Sequence, residues 1–545
     1  MHYQPPRRHN PERPVTLAGR RHERIRCPRQ SFQNAMGKKL EIRFAIAIAL
    51  SLFASTGGIA SAQTRWVGSW AASQQLVEQQ NALPTSSAHD VTLRQIVHLS
   101  LGGTELRLHL SNRFGTVPLH FTAVHIANSV VADSPKIVSG TDRPLTFSGQ
   151  LDVTVPAGAG YVCDPVEFPV AALSDLAITL HIDAVPDQQT GHPGSRATSY
   201  VAHGDLVSAS DLPQATHLDH WYFVAGVDVS ASAQAATIVA LGDSITDGHG
   251  STTNSNNRWT DFLAKRLQAS PATRLLAVLN QGVGGNRLLL DGLGPNASAR
   301  FDHDVLAQAG ARYLITLEGI NDIGMLTHDG EVPQSEHDAL VRRVLVAYQQ
   351  IITNSHTHGI EAIGATIMPF VGSEFYHPGL ASEADRQAIN QWIRAPGHFD
   401  AVIDFDEVMR DPEHPDRLLP AFDSGDHLHP SPAGYRAMAD AIPLSLFAGD
   451  SAAVVEAPQI AITFDDPASR RRRERQDFRT LLSSFTQNER PIESRGARML
   501  CLQLASCVLP PAPAPGSGRR RPREPRNERK LQSDLIPACE PKART

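Results

Sequence analysis

The spacing of apolar residues changes near position 235, and this one change commits the chain to two kinds of layer. From Gln63 to Ser232 apolar residues recur at every second position. Leu106, Leu108 and Leu110 alternate with Arg107 and His109, and Leu176, Ile178, Leu180 and Ile182 alternate with Ala177, Thr179 and His181. Gly102-Gly103, Ser111-Asn112, Pro156-Ala157-Gly158 and Pro186-Asp187 punctuate the runs. Short alternating strands at regular spacing predict an all-β sandwich or jelly-roll-like domain over 63–232. From Ala236 onward, near-continuous apolar runs alternate with long amphipathic stretches. Residues 237–241, 275–279, 313–317, 362–367 and 401–405 read as buried parallel strands, and 259–268 and 337–355 as helices. That rhythm predicts a three-layer α/β/α domain over 233–450, with its chemistry in the loops that follow the strand ends.

Length and composition fit this division. At 545 residues the chain exceeds a single core and has room for roughly three domains of about 150 residues. With 41% hydrophobic and 19% charged residues it is neither a collagen, a coiled coil nor a multi-span membrane protein. Charge is uneven along it. Residues 63–450 hold 21 Lys and Arg against 42 Asp and Glu, whereas 1–35 carry eight Arg against two acids. Residues 451–545 carry 18 bases against 11 acids. So acidic a middle repels phosphate backbones, and no nucleic-acid partner is expected for it.

Both ends are expected to lie outside the working fold. Met36 opens a second beginning: Lys38 and Lys39, the apolar run 44–52 and Ala60-Ser61-Ala62 stand in the order of a secretory signal peptide over 36–62. Its apolar stretch is too short for an anchor, so no stable membrane insertion is expected after cleavage. Residues 1–35 then read as a mis-assigned or disordered basic leader. The tail, 451–545, contains Arg470 to Arg473, a Pro-Ala run over 510–515 and Arg519 to Arg521, and is expected to be disordered. The predicted location is secreted or periplasmic. Of five cysteines only Cys163 lies within 63–450, so that region must be held by its core rather than by disulfides. No CxxC or His/Cys spacing supports zinc, and neither a metal nor a cofactor is expected. His98, His109 and His125 alternate with apolar residues and should face outward.

Four loops carry the candidate chemistry. The first strand runs into Leu241-Gly242-Asp243-Ser244-Ile245-Thr246-Asp247-Gly248, where Ser244 can stand above the sheet edge. A serine there needs an adjacent base to act as a nucleophile, and by itself the block could be only a helix cap. The second strand leads into Asn280-Gln281-Gly282-Val283-Gly284-Gly285-Asn286, where glycine allows a backbone N–H close to a ligand. Arg287 occupies the position at which a dinucleotide fingerprint would need glycine. The third ends in Glu318-Gly319-Ile320-Asn321-Asp322, whose Asn321 amide can donate to a developing oxyanion. Last comes Asp423-Ser424-Gly425-Asp426-His427-Leu428-His429-Pro430, followed by Ser431-Pro432 as a helix start. Asp426 and His429, three apart, can supply an orienting carboxylate and a base from one loop. Asp423 is the competing carboxylate.

In this order the four blocks resemble the SGNH (GDSL-type) hydrolase superfamily over about 233–450, in which a serine nucleophile cleaves carboxylic esters. The resemblance implies a flavodoxin-like domain with Ser244 as nucleophile, His429 as general base and then acid, and Asp426 orienting the histidine. It implies an oxyanion hole from the N–H of Ser244, the N–H of Gly285 and the Asn321 amide, with Gly285 preferred to Gly282 by its distance from the strand end. Trp66-Val67-Gly68-Ser69-Trp70 and Ser111-Asn112-Arg113-Phe114-Gly115 are similar to blocks of a secreted bacterial subgroup. That subgroup resembles arylesterase-like enzymes associated with xylan breakdown, with a β-rich domain ahead of the catalytic one. Ile245 departs from the Leu of the GDSL name, and the basic tail has no counterpart. The implied substrate is a small or polysaccharide-borne ester with a short acyl group. Two alternatives stay open: a lysophospholipase or lipase of the same mechanism, and an inert glycan-binding protein.

Overall fold

The computed structural model describes residues 64–84 and 89–447, so the leader, the signal peptide and the tail expected from the sequence lie outside the described residues. The first half is a sandwich of two antiparallel sheets, with a small third sheet of three short strands beside them. One contains the strands Thr64–Ala71, Val224–Ser232, Gly103–Ser111, Gly160–Val162 and Val166–Val170. The other is built around His89–His98, Asp175–Ala184 and Leu119–Asn128. Leu106, Leu108 and Leu110 of the first sheet share one buried core with Leu93, Val124, Ile178 and Leu180 of the second. Burial of such side chains contributes about 25 cal/mol per Å² of apolar surface.

The period-two reading holds for Gly103–Ser111 but not for Asp175–Ala184. In the latter strand Ala177, Thr179 and His181 are buried as well. Its expected outer face is covered by a small second core in which Ala177 meets Ile96, Tyr200 and Leu212. The histidines expected to face outward are each tied to a carboxylate: His98 to Asp175, His109 to Asp228 and His125 to Asp142. Cys163 is buried with a free thiol.

The second half is a five-stranded parallel sheet with helices packed on it. In chain order its strands are Ala236–Gly242, Leu276–Gly282, Ala311–Leu317, Glu361–Ala365 and Ala401–Ile403, and they lie side by side as second, first, third, fourth, fifth. This is a flavodoxin-like order, which places a crevice where the first and third strands diverge. All seven residues of the first strand are buried. The helices Trp259–Ala269 and Pro432–Ala441 pack together, as do Gln334–Thr357 and Leu380–Arg394. The fifth strand stops two residues short of its apolar run because Asp404 caps the helix Phe405–Met409, accepting from the Glu407 N–H. No helix among the described residues is long and apolar enough to cross a membrane.

Both halves belong to one compact unit. The second parallel strand lies at an edge of its sheet, and the β half covers it. The Ser100 hydroxyl accepts from the Val278 N–H at 3.0 Å, and the Gly68 N–H donates to the Ala309 carbonyl at 2.8 Å. Between the first two strands and the one-turn helix Ser244–Asp247 there is no spare volume. A Cβ on Gly242 would lie 2.2 Å from Thr246 Oγ1, and one on Gly282 would lie 2.1 Å from the Asp247 backbone nitrogen. Backbone cannot yield as a flexible side chain can. Gly282→Ala should therefore lower stability in urea unfolding by about 1–3 kcal/mol. Gly284→Ala, whose Cβ meets nothing nearer than 4.0 Å, should stay within about 0.5 kcal/mol of the wild type.

Candidate active site

Ser244 stands at the C-terminal end of the first parallel strand, as the first residue of a helix four residues long. Asp243 caps that helix by accepting from the Ile245 N–H at 2.9 Å. Asn280 of the neighbouring strand fixes its far side, donating to the Thr246 carbonyl at 2.6 Å. The turn is thus locked from both ends, and Ser244 Oγ projects into a cleft of about 550 Å³.

His429 reaches the same cleft from the loop before Pro432–Ala441. Its Nε2 lies 2.8 Å from Ser244 Oγ, and its Nδ1 lies 2.6 Å from Asp426 Oδ2. With a carboxylate on Nδ1 that nitrogen carries the proton, leaving the Nε2 lone pair to accept from the serine hydroxyl. Asp426 is itself positioned by the backbone: its Oδ1 accepts from the N–H groups of Leu428 and His429 at 3.0 and 2.8 Å. Burial opposes its charge, but the hydrogen bond and charge of His429 outweigh it and hold the carboxyl well below the usual range. Asp423 is turned elsewhere, with Oδ2 2.7 Å from His427 Nδ1.

Gly285 and Asn321 line the cleft with Ser244. Gly285 has φ +66°, a conformation that a side chain makes costly, and it leaves the cleft floor open to backbone. Asn321 follows the third strand. One hydrogen of its Nδ2 is used by the Asn286 carbonyl at 2.7 Å, and Tyr376 donates its hydroxyl to Oδ1 at 2.5 Å. The amide is therefore fixed in one orientation, with a second N–H to spare. Gly282 lies under the helix instead, in the tight contact described above.

Several residues in and under the site have no signal in the local sequence pattern. His249 lies against the His429 ring at 4.1 Å between centroids, and its Nδ1 accepts from Arg196 Nη2 at 3.1 Å. Burial, then the charges of His429 and Arg196, push its pKa down to about 4, so it stays neutral. His249, Asp426 and His429 form the one group among the described residues able to hold a metal ion. To do so, His429 would have to give up its bond to Ser244 or to Asp426. Beneath the site Arg300, 3% exposed, donates to the carbonyls of Gly242 and Gln281 at 2.9 and 2.7 Å and to Asn286 Oδ1. It also pairs with Asp304 at 2.9 Å.

Three further carboxyls crowd this layer. Burial raises Asp243 to about 7 against its bond from Ile245, and Asp322 to about 6 against N–H bonds from Leu288 and Leu289. Burial and then Asp243 push Glu318 well above the usual range, and its Oε2 is buried without a hydrogen-bond partner. Acids whose pKa is raised by folding hold protons that the unfolded chain releases above about pH 4, so stability falls as pH rises toward 8. Each tenfold weakening of a carboxyl's acidity on folding costs about 1.4 kcal/mol once the pH exceeds both its folded and unfolded pKa. Glu318→Gln should accordingly raise the thermal midpoint more at pH 8 than at pH 5, as read by calorimetry. An equal change at both pH values would contradict this account.

The residues that build this geometry match a known family: 240–437 fit the GDSL-like Lipase/Acylhydrolase family. No curated protein matches the chain. Solved structures similar to it include an alpha/beta hydrolase enzyme from the metagenome of Lake Arreo, Spain, at 23% identity, with 39% of this chain and 95% of that one covered and a TM-score of 0.28. An acetyl xylan esterase is 21% identical over 38% of this chain and 96% of its own, with a TM-score of 0.28. The native M. smegmatis aryl esterase is 15% identical over 39% and 99%, with a TM-score of 0.29.

Proposed function

We propose that this carboxylic ester hydrolase, whose residues 240–437 form a GDSL-like lipase/acylhydrolase domain, works through an acyl-enzyme at Ser244. The observation that carries the proposal is the hydrogen-bonded row from Ser244 Oγ through His429 to Asp426, opening on a cleft lined by Gly285 and Asn321. His429 Nε2 takes the serine proton as Oγ attacks the ester carbonyl, and the N–H groups of Ser244 and Gly285 with the Asn321 amide receive the oxyanion. The imidazolium, balanced by Asp426, then gives its proton to the leaving alcohol. Water, activated by the same histidine, releases the acid and restores Ser244.

The preferred substrate class is a short acyl ester, either small and soluble or borne on a polysaccharide. The lining of the cleft includes the polar groups Glu374, Asp426 and His427. The acidic 63–450 region is also poorly suited to anionic lipid surfaces. Export to a secreted or periplasmic location belongs to the same proposal and rests on residues 36–62 alone. One observation favours the lipase alternative: Leu293 and Phe375 at the cleft, with Leu290 and Met325, are exposed apolar residues on which a long chain could lie.

Hydrolysis of p-nitrophenyl esters from acetate to palmitate tests both readings. Turnover is expected to be greatest at acetate and to fall with chain length, and a preference for long chains would select the lipase reading. Ser244→Ala and His429→Ala should abolish turnover with circular dichroism unchanged. Asn321→Ala should cost about 100- to 1,000-fold in kcat. Substantial turnover by Ser244→Ala would overturn the nucleophile assignment.

A further inference from the structure

Besides Ser73, which lies beside Arg300, the β half reaches the layer around Ser244 through the short segment that contains His192. The strand Thr190–His192 pairs with Trp221–Tyr222 and Gln75–Leu76, and the residues after it lie along the end of the nucleophile's helix. His192 Nε2 is 2.8 Å from Asp247 Oδ1, and its Nδ1 is 2.8 Å from the Ser73 carbonyl oxygen. Both neighbours present acceptor oxygens, so the ring is held between the two halves by its two nitrogens. It stacks on Trp221 at 5.8 Å, and the side chains of His192 and Asp247 are only 5% and 4% exposed. The next residues complete the contact. A Cβ on Gly194 would fall 1.9 Å from Asp247 Oδ2, and the Ser195 carbonyl accepts from Arg258, whose Nε also donates to the Asp247 carbonyl at 2.8 Å.

Asp247 is the last residue of the helix that Ser244 begins, and its N–H bonds to the Asp243 carbonyl at 2.9 Å. A helix of one turn has no second turn to resist rotation. Its direction, and with it that of Ser244 Oγ, is set by what holds its far end. We propose that His192 of the β half is a positioning residue for ester hydrolysis, holding Ser244 in line with His429 through its buried pair with Asp247. The proposal rests on the assignment of Ser244 as nucleophile. It gives the β half a part in the reaction itself: removing the imidazole leaves the buried Asp247 carboxylate without its side-chain partner at the end of the helix, and a small shift of that end is passed on to Ser244. Misplacement of a reacting atom by about 1 Å can cost on the order of 100-fold in rate.

The test uses the full chain with His192→Ala, the near-isosteric Asp247→Asn and the double variant. Each is assayed on p-nitrophenyl acetate at a temperature where circular dichroism shows it folded. The expected result is a fall in kcat of about 10- to 100-fold with KM within about twofold. The rate of Ser244 phosphonylation by an organophosphorus ester should fall by the same factor. The double variant should be no slower than the slower single, because both substitutions act on one contact, the first by removing the ring and the second by removing the carboxylate charge. A purely structural contact would lower the thermal midpoint and leave kcat of the folded variants unchanged, and that result overturns the proposal, as does a double loss equal to the product of the singles. Should His192→Ala fail to fold, Asp247→Asn decides. Full turnover by Ser244→Ala would instead defeat the nucleophile assignment on which the proposal stands.

Discussion

One guanidinium holds the layer beneath the candidate site together. Arg300 donates to the carbonyls at the ends of the first two parallel strands and to Asn286 in the loop that carries Gly285, and it lies 3.3 Å from the Ser73 hydroxyl of the β half. Parallel strands end in carbonyls that no neighbouring strand satisfies, and in a buried site each one left unpaired costs about 1–3 kcal/mol. A planar fork with five donors can meet several at once, which a lysine cannot. Because Asn286 accepts from Arg300 while its carbonyl accepts from Asn321, the strand ends and the candidate oxyanion donors are parts of one hydrogen-bond network.

That network brings an excess of acid with it. Asp243, Glu318 and Asp322 lie in the same buried layer, and their raised pKa values say that the layer is electrostatically unfavourable when fully ionised. Asp243 and Asp322 nevertheless each accept backbone N–H groups that shape the loops around Ser244 and Gly285. Stability is surrendered locally for fixed geometry above, a common arrangement where a site must be rigid. The wall on the other side is supplied by the neutral His249, which lies against His429 without adding charge to it.

What could be read from the sequence was what local spacing encodes. The first parallel strand was legible because it is apolar without interruption, and the strand–helix alternation followed from the same signal. Ser244 could be singled out by the turn residues around it, and Asp426 with His429 by their separation of three within one loop. Contacts between distant segments leave no such trace. The pairing of His192 with Asp247 spans 55 residues and two architectures. The burial of Thr179 and His181 depends on distant partners, Arg94 for the first and Thr122 and Asp90 for the second, over a strand whose own pattern says half-exposed. Gly285 was preferred to Gly282 in the sequence only by its distance from the strand end; the collision of a Cβ on Gly282 with the Asp247 backbone, against ordinary contact with Leu293 at Gly285, depends on packing that spacing does not show.

The Ser100 hydroxyl that accepts from the Val278 N–H has a bearing on how such a chain can be divided. The switch of period near residue 235 suggests a seam at which two modules were joined and could be parted. Parting them there would bare the flank of the parallel sheet, a row of unpaired amides that invites a second copy to add its own strand. The seam is therefore visible in the sequence but closed in the folded molecule, and the sandwich acts as the permanent margin of the hydrolase sheet.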